Sequence, residues 1–210
     1  MLFRTSPEKF WNMISSSYAA SPIKDRAAYE KKIAHLKTYL KPEFAILDIG
    51  CGTGTQCMDL AGKVTQVIGA DHSVKLLAIA EARKTERKIT NVEFVTASLA
   101  DMEFPARQFD VVMAFYVLHF SEDIDELIKR IHTWLKPGGL FISESYCLGE
   151  KNFFQVMWLR LFGLIGFMPL INLLTYKKLE QSLANAGFIL LEKTQYSTKF
   201  NEYTLIAKKC

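Results

Sequence analysis

Apolar positions along the chain fall into short blocks that alternate with longer stretches of mixed character. Phe44–Ile49, Val64–Ala70, Val92–Thr96, Phe109–Phe115 and Leu140–Ser145 are mainly apolar runs of strand length. Between them, Thr55–Ala61, Ser73–Arg87 and Ser121–Leu135 have helical spacing; in the last, Ile124, Leu127, Ile128, Ile131 and Leu135 share one face. Two helices are expected in front. The first starts with Ser6 as cap and Pro7 at its first position and carries Phe10, Trp11, Ile14 and Tyr18. The second runs from about Asp25 to Leu40, with Ile33, Leu36 and Leu40 apolar, and stops at Lys41-Pro42. At the far end Thr175 caps a helix Tyr176–Asn185, Gly187 ends it, and strands Phe188–Gln195 and Glu202–Lys208 close the chain. The pattern predicts an open, doubly wound α/β sheet of seven strands, mostly parallel, with one antiparallel strand near an edge.

One stretch breaks the rhythm. Residues 151–175 hold Phe153, Phe154, Trp158, Leu159, Phe162 and many other apolar side chains, interrupted by only Gln155, Arg160 and Asn172 among polar ones. A membrane-spanning helix needs about 20 apolar residues. Arg160, Gly163, Gly166 and Pro169 cut this run into shorter pieces, so two short helices are expected. They are read as a lid packed on its own core, as the wall of a pocket for an apolar molecule, or as a peripheral membrane contact. The expected organisation is a single domain: a helical cap (1–42), a sheet core (43–146), this apolar insertion (147–175), and a closing helix with two strands (176–210).

Composition narrows the function. Half the residues are hydrophobic and 12% are aromatic, which excludes a disordered chain. A net charge of +4 is too mild to argue for nucleic acid as a partner. The basic cluster Arg83, Lys84, Arg87 and Lys88 is interleaved with Glu81 and Glu86, as on a solvated helix. Cys51, Cys57, Cys147 and Cys210 form no CxxC pair and no Cys/His spacing fits a zinc site, so no metal is expected. Residues 1–20 lack a basic-then-apolar leader, and a cytoplasmic protein with free thiols is expected.

The chemistry centres on Leu47-Asp48-Ile49-Gly50-Cys51-Gly52-Thr53-Gly54, a strand that runs into a glycine turn and a helix start. Such a turn lets a ligand lie against the main chain and exposes unpaired N–H groups. A dinucleotide fingerprint does not fit, because the third glycine would fall at Thr55 or at Cys57. The spacing Asp48-x-Gly50-x-Gly52-x-Gly54 instead closely resembles motif I of the class I S-adenosylmethionine (SAM) methyltransferases. Asp71, about 20 residues on at a strand end, suits ribose hydroxyls, with a helix cap as its plainer role. The Leu135-Lys136-Pro137-Gly138-Gly139 turn between a helix and an apolar strand adds to the resemblance, which covers residues 44–145.

The resemblance implies SAM as cofactor, S-adenosylhomocysteine (SAH) as its product, and a site built from Asp48, Gly50, Cys51, Gly52, Gly54, Asp71, His72, Ser98, Leu99, Ala114, Phe115 and Tyr18. Ser98 stands where the family often has an Asp on the adenine amino group. The first helix, with Phe10-Trp11 and Tyr18, is implied to close over the cofactor, and Ala114–Phe115 to face its methionine end. His119, Tyr18 and Tyr116 are candidate bases, and no catalytic residue is assigned. The expected reaction is methyl transfer to a small, apolar or aromatic acceptor. A nucleic-acid methyltransferase is a rival, although the Asn/Asp-Pro-Pro-aromatic motif of amino-methylating DNA enzymes is replaced here by Ala114-Phe115-Tyr116-Val117. A SAM-binding fold that has lost catalysis is a further alternative.

Overall fold

A computed structural model describes residues 6–147, 149, 157, 171–198 and 202–210. The expectation for 151–175 falls almost wholly on 151–156 and 158–170, outside the described residues. Among the described residues no helix is long and apolar enough to cross a membrane.

The chain runs α1 (Pro7–Ala20), α2 (Arg26–Leu36), β1 (Ala45–Ile49), α3 (Thr55–Ala61), β2 (Gln66–Asp71), α4 (Val74–Glu86), β3 (Val92–Thr96), β4 (Phe109–Phe115), α5 (Ile124–Trp134), β5 (Leu135–Glu144), α6 (Tyr176–Asn185), β6 (Phe188–Thr194) and β7 (Thr204–Lys209). The described strands form a seven-stranded sheet in the order β3-β2-β1-β4-β5-β7-β6. β1 to β5 pair in parallel, and β7 inserts antiparallel between β5 and β6. The fold is the doubly wound, mixed α/β sheet that the alternation of runs predicts.

Side-chain alternation divides the core into two layers. Leu47, Ile49, Val112 and Ala114 pack against Leu127, Ile128, Ile131 and Trp134 of α5 and Leu179 and Leu183 of α6. Ile46, Val111, Met113 and Phe115 point the other way, to Ile33 and Leu36 of α2, Cys57 and Leu60 of α3, and Leu77 of α4. Strands buried on both faces need apolar residues at consecutive positions, so the runs were visible as blocks.

Several boundaries differ from the sequence expectation. The second helix ends at Leu36 and tightens into a 3-10 turn, Lys37–Tyr39, instead of reaching Leu40. Helix α5 begins at Ile124, because Asp123 rather than Ser121 supplies the capping oxygen to Glu126 N–H. The Lys136-Pro137-Gly138-Gly139 stretch is not a turn ahead of the strand but lies inside β5. Leu135 pairs with Phe109 and Leu140 with Val111, so four residues of β5 bulge against Asp110 alone. Gly138 takes φ +75°, and a side chain on Gly139 would strike the Lys136 and Asp110 carbonyls at 2.9 and 3.0 Å.

A buried ion pair spans the α2 layer. Lys32 of α2 meets Glu144 at the carboxyl end of β5, both about 95% buried, and Thr204 Oγ1 donates to Glu144 Oε1 at 3.3 Å. The Lys32 ammonium also lies 4.8 Å from the Phe115 ring centroid. Lys32→Met strands a carboxylate in the core and should cost about 3–5 kcal/mol in urea unfolding. The pair removed together, Lys32→Met with Glu144→Leu, should lie closer to wild type than either single variant; additive losses would show that the two charges do not depend on each other.

Candidate functional site

The carboxyl ends of β1, β2 and β4 converge on the glycine turn. Gly50, Gly52 and Gly54 all have left-handed backbone, φ +68°, +55° and +70°. Gly50 N–H and Cys51 N–H both donate to the Ala70 carbonyl, at 2.7 and 3.1 Å. Gly52 N–H donates to Asp71 Oδ2 at 2.9 Å, and Ser73 N–H to Asp71 Oδ1 at 2.8 Å. One carboxylate thus joins the turn after β1 to the start of α4. The capping role itself belongs to Ser73, whose Oγ accepts from Leu76 N–H. Each Asp71 oxygen keeps acceptor capacity beyond its one backbone bond.

The three glycines differ in what a side chain would meet. A Cβ on Gly50 would lie 2.6 Å from Val117 Cγ2, and on Gly54 2.4 Å from Phe94 Cζ, so these two are small because the protein packs against them. At Gly52 the nearest atoms are Tyr18 Cε1 at 3.7 Å and Tyr18 OH at 3.9 Å. A side chain at Gly52 would therefore meet no close packing, only the half-exposed tyrosine of α1 at ordinary contact distance.

Asp48 lies near the carboxyl end of β1, just ahead of the turn. It is 1% exposed, on the α3 face of β1, and accepts a hydrogen bond from Cys57 Sγ at 3.1 Å. Burial pushes its carboxyl up to about 7, a rise the Cys57 hydrogen bond opposes. This contact joins β1 to α3 just ahead of the turn. Cys51, Ala114 and Phe115 are buried as well. His72 follows Asp71, and its Nε2 is buried with no partner among the described residues. Ala97 N–H donates to the Asp71 carbonyl at 3.0 Å, which sets the loop with Ser98 and Leu99 beside it. Ser98 Oγ donates to Asp101 Oδ2 at 2.7 Å.

Helix α1 is held over the turn by polar contacts that the sequence did not announce. Asn12 Oδ1 accepts from Ser73 Oγ at 2.7 Å and Lys75 N–H at 3.2 Å, and Arg83 Nη2 donates to the Ala19 carbonyl at 2.8 Å. These contacts join residues more than sixty positions apart, beyond the reach of any local pattern. α1 brings Trp11 and Tyr18, with ring centroids 5.4 Å apart.

From Trp11 a row of rings continues across the site. Trp11 meets Phe120 at 6.2 Å, Phe120 meets His119 at 4.2 Å, His119 meets Tyr146 at 5.7 Å, and Tyr146 meets Tyr116 at 4.8 Å. Tyr116 sits at φ +56°, a rare conformation for a residue with a side chain. Its N–H donates to the Glu144 carbonyl at 2.7 Å and its OH to Glu202 Oε2 at 2.8 Å. Asn172 N–H donates to the His119 carbonyl at 2.8 Å, which ties the segment before α6 to this loop.

The three candidate bases differ in state. Burial, followed by the charges of Glu144 and Glu202, raises the Tyr116 phenol; burial and then Asp71 raise that of Tyr18. Both are hydrogen-bond donors at neutral pH. His119 is 4% exposed, and burial lowers it to about 4. Its ring is neutral at pH 7 and its Nδ1 has no partner among the described residues.

Residues 46–139 match the family model of a methyltransferase domain. The demethylmenaquinone methyltransferase of Lactococcus lactis is 30% identical over 168 residues, covering 70% of this chain and 67% of that protein. Phosphoethanolamine N-methyltransferase 3 of Arabidopsis thaliana is 34% identical over 114 residues, 54% of this chain; this chain spans only 23% of that relative's length. Among solved structures, phosphoethanolamine N-methyltransferase 2 of Haemonchus contortus, in complex with phosphomonomethylethanolamine and SAH, superposes with a TM-score of 0.79 at 20% identity over 98% of this chain and 61% of that one. With the sheet order, the glycine turn and these matches in agreement, the chain belongs to the class I SAM-dependent methyltransferases.

Proposed function

We propose that this protein transfers a methyl group from SAM to a small acceptor held against the aromatic row. The observation that carries the reading is Gly52: its left-handed backbone, its N–H fixed on Asp71, and the lack of any close protein atom at its Cβ position except the Tyr18 ring at ordinary contact distance suit a ligand lying against the main chain. Gly50, Cys51, Gly52 and Gly54 would hold the amino-acid part, with the Ala114–Phe115 backbone beside it. Asp71 would take the ribose hydroxyls with its remaining lone pairs, and His72, Ser98 and Leu99 would border the base. Tyr18 would close over the cofactor. SAM supplies a methyl group already activated on a sulfonium.

The protein's part is then orientation and exclusion of water, which together supply roughly 7–11 kcal/mol in well-aligned reactions. Trp11, Phe120 and Tyr146 offer flat apolar faces, which favour an apolar or aromatic acceptor. His119, neutral and with an unpartnered Nδ1, accepts a hydrogen bond from the acceptor's hydroxyl or N–H and so fixes its direction. A group lowered to about 4 is a weak base, so His119 orients the acceptor more than it removes a proton. Tyr116 with Glu202 favours a second acceptor class: aromatic rings beside a carboxylate also attract amines. Incubation with SAM labelled on the methyl group, and phenolic or amine acceptors in parallel, separates the two; no labelled product from either set or from cell extract would leave a protein that binds SAM without using it.

Two outcomes are expected. Gly52→Ala should weaken SAH binding by about tenfold or more, because the new methyl fills the ligand's space, while the left-handed alanine costs about 1–2 kcal/mol of stability. Calorimetry that finds unchanged SAH affinity would remove the turn from the site. His119→Phe should lower acceptor kcat/KM by roughly tenfold, the loss of one hydrogen bond, and leave SAH binding intact. The wild-type protein should also lose stability as pH falls from about 6.5 to about 4, since the unfolded imidazole takes a proton that the buried ring refuses. His119→Phe should flatten that part of the profile.

A further inference from the structure

Helix α5 carries a largely buried cation, Arg130, on the side of the loop after β3. The Arg130 side chain is 17% exposed, and its guanidinium lies 5.2 Å from the Trp134 ring centroid. Nη1 donates to the Leu99 and Ala100 carbonyls, both at 3.0 Å, and Nη2 donates to the Met102 carbonyl. Glu103 Oε1 lies 3.5 Å from Nη2. One side chain thus gathers three carbonyls from the loop after β3. A rigid planar fork is suited to this in a way that a flexible ammonium is not.

The position of the loop gives the contact its meaning. In the sheet β2 lies between β1 and β3, so a ligand that starts on the β1 turn and passes Asp71 arrives next at residues 97–102. Arg130 draws the Leu99, Ala100 and Met102 carbonyls toward α5. The Leu99 N–H has no acceptor among the described residues, and Ser98 Oγ is paired with Asp101; in the cofactor reading these are the groups that would meet the base. Asp101 N–H returns to Ser98 Oγ at 3.2 Å and Met102 N–H to the Ser98 carbonyl at 2.9 Å, so the turn is closed within itself, and Arg130 adds to the anchoring by buried Met102 and by Ala97 N–H on the Asp71 carbonyl.

We infer that Arg130 is a positioning residue for the base end of the cofactor: it touches no ligand, and it sets the loop conformation that meets the adenine ring. The inference rests on the cofactor reading above. The test is calorimetry with two probes, SAH and S-inosylhomocysteine, which differ in the amino or oxo group at position 6 of the base. Wild type should bind SAH more tightly than the inosyl compound. Arg130→Met should raise the Kd for SAH by about tenfold and bring the two ligands to within about twofold of each other. Arg130→Lys should recover part of the preference. Thermal melting of each unliganded variant serves as the control for a purely structural role. A lowered melting temperature with SAH affinity and base preference as in wild type would overturn the inference, and so would full preference in Arg130→Met. Absence of SAH binding by the wild type would instead refute the cofactor reading itself.

Discussion

The site depends on one carboxylate. Asp71 ends β2, is buried to 93%, and accepts one backbone N–H from the glycine turn and one from Ser73, two residues past the strand. A loop with three left-handed glycines has much conformational freedom to lose. One charge-assisted hydrogen bond to Asp71 fixes it to the neighbouring strand, and a second, on the other oxygen, holds the same carboxylate to Ser73 at the start of α4. The same oxygens keep lone pairs for a ligand, so the group that orders the turn is available to read what lies on it. Asp48, buried just ahead of the turn, accepts a hydrogen bond from Cys57 that offsets part of the cost of its burial.

Around this clamp the two edges of the sheet behave differently. The interior between strands and helices is apolar and closed on both faces. The carboxyl ends of β4 and β5, by contrast, gather Lys32, Glu144, Tyr116 and Glu202 into a linked polar group. That group holds Tyr116 in a left-handed conformation and redirects the chain, so that Val117 packs on Gly50 while His119 joins the ring row. Strain of this kind, of order 1–3 kcal/mol, persists only where neighbours enforce it. Here a main-chain bond to Glu144 and a side-chain bond to Glu202 do so.

The sheet was legible because each central strand is buried on both faces and reads as an apolar block, and because α5 presents Leu127, Ile128 and Ile131 on one face. The glycine turn and Asp71 were legible through their spacing. The Lys136–Gly139 bulge was not, since a Pro-Gly-Gly sequence reads locally as a turn, and only pairing with Phe109 and Val111 shows that the strand starts before it. The contacts of Asn12 with Ser73, Lys32 with Glu144, and Arg130 with the loop after β3 were hidden for a common reason. Each joins residues 28 or more positions apart through side chains that look like ordinary helix-surface polar groups.

The central claim is that the turn clamped by Asp71 is a cradle for SAM and not for a dinucleotide. Competitive titration of the purified protein with SAM, SAH and NAD, followed by the heat of binding, tests it most directly. The account predicts one molecule of SAM or SAH per chain, each displacing the other, and no heat from NAD at the same concentrations. Saturable binding of NAD, or its displacement of SAH, would contradict it.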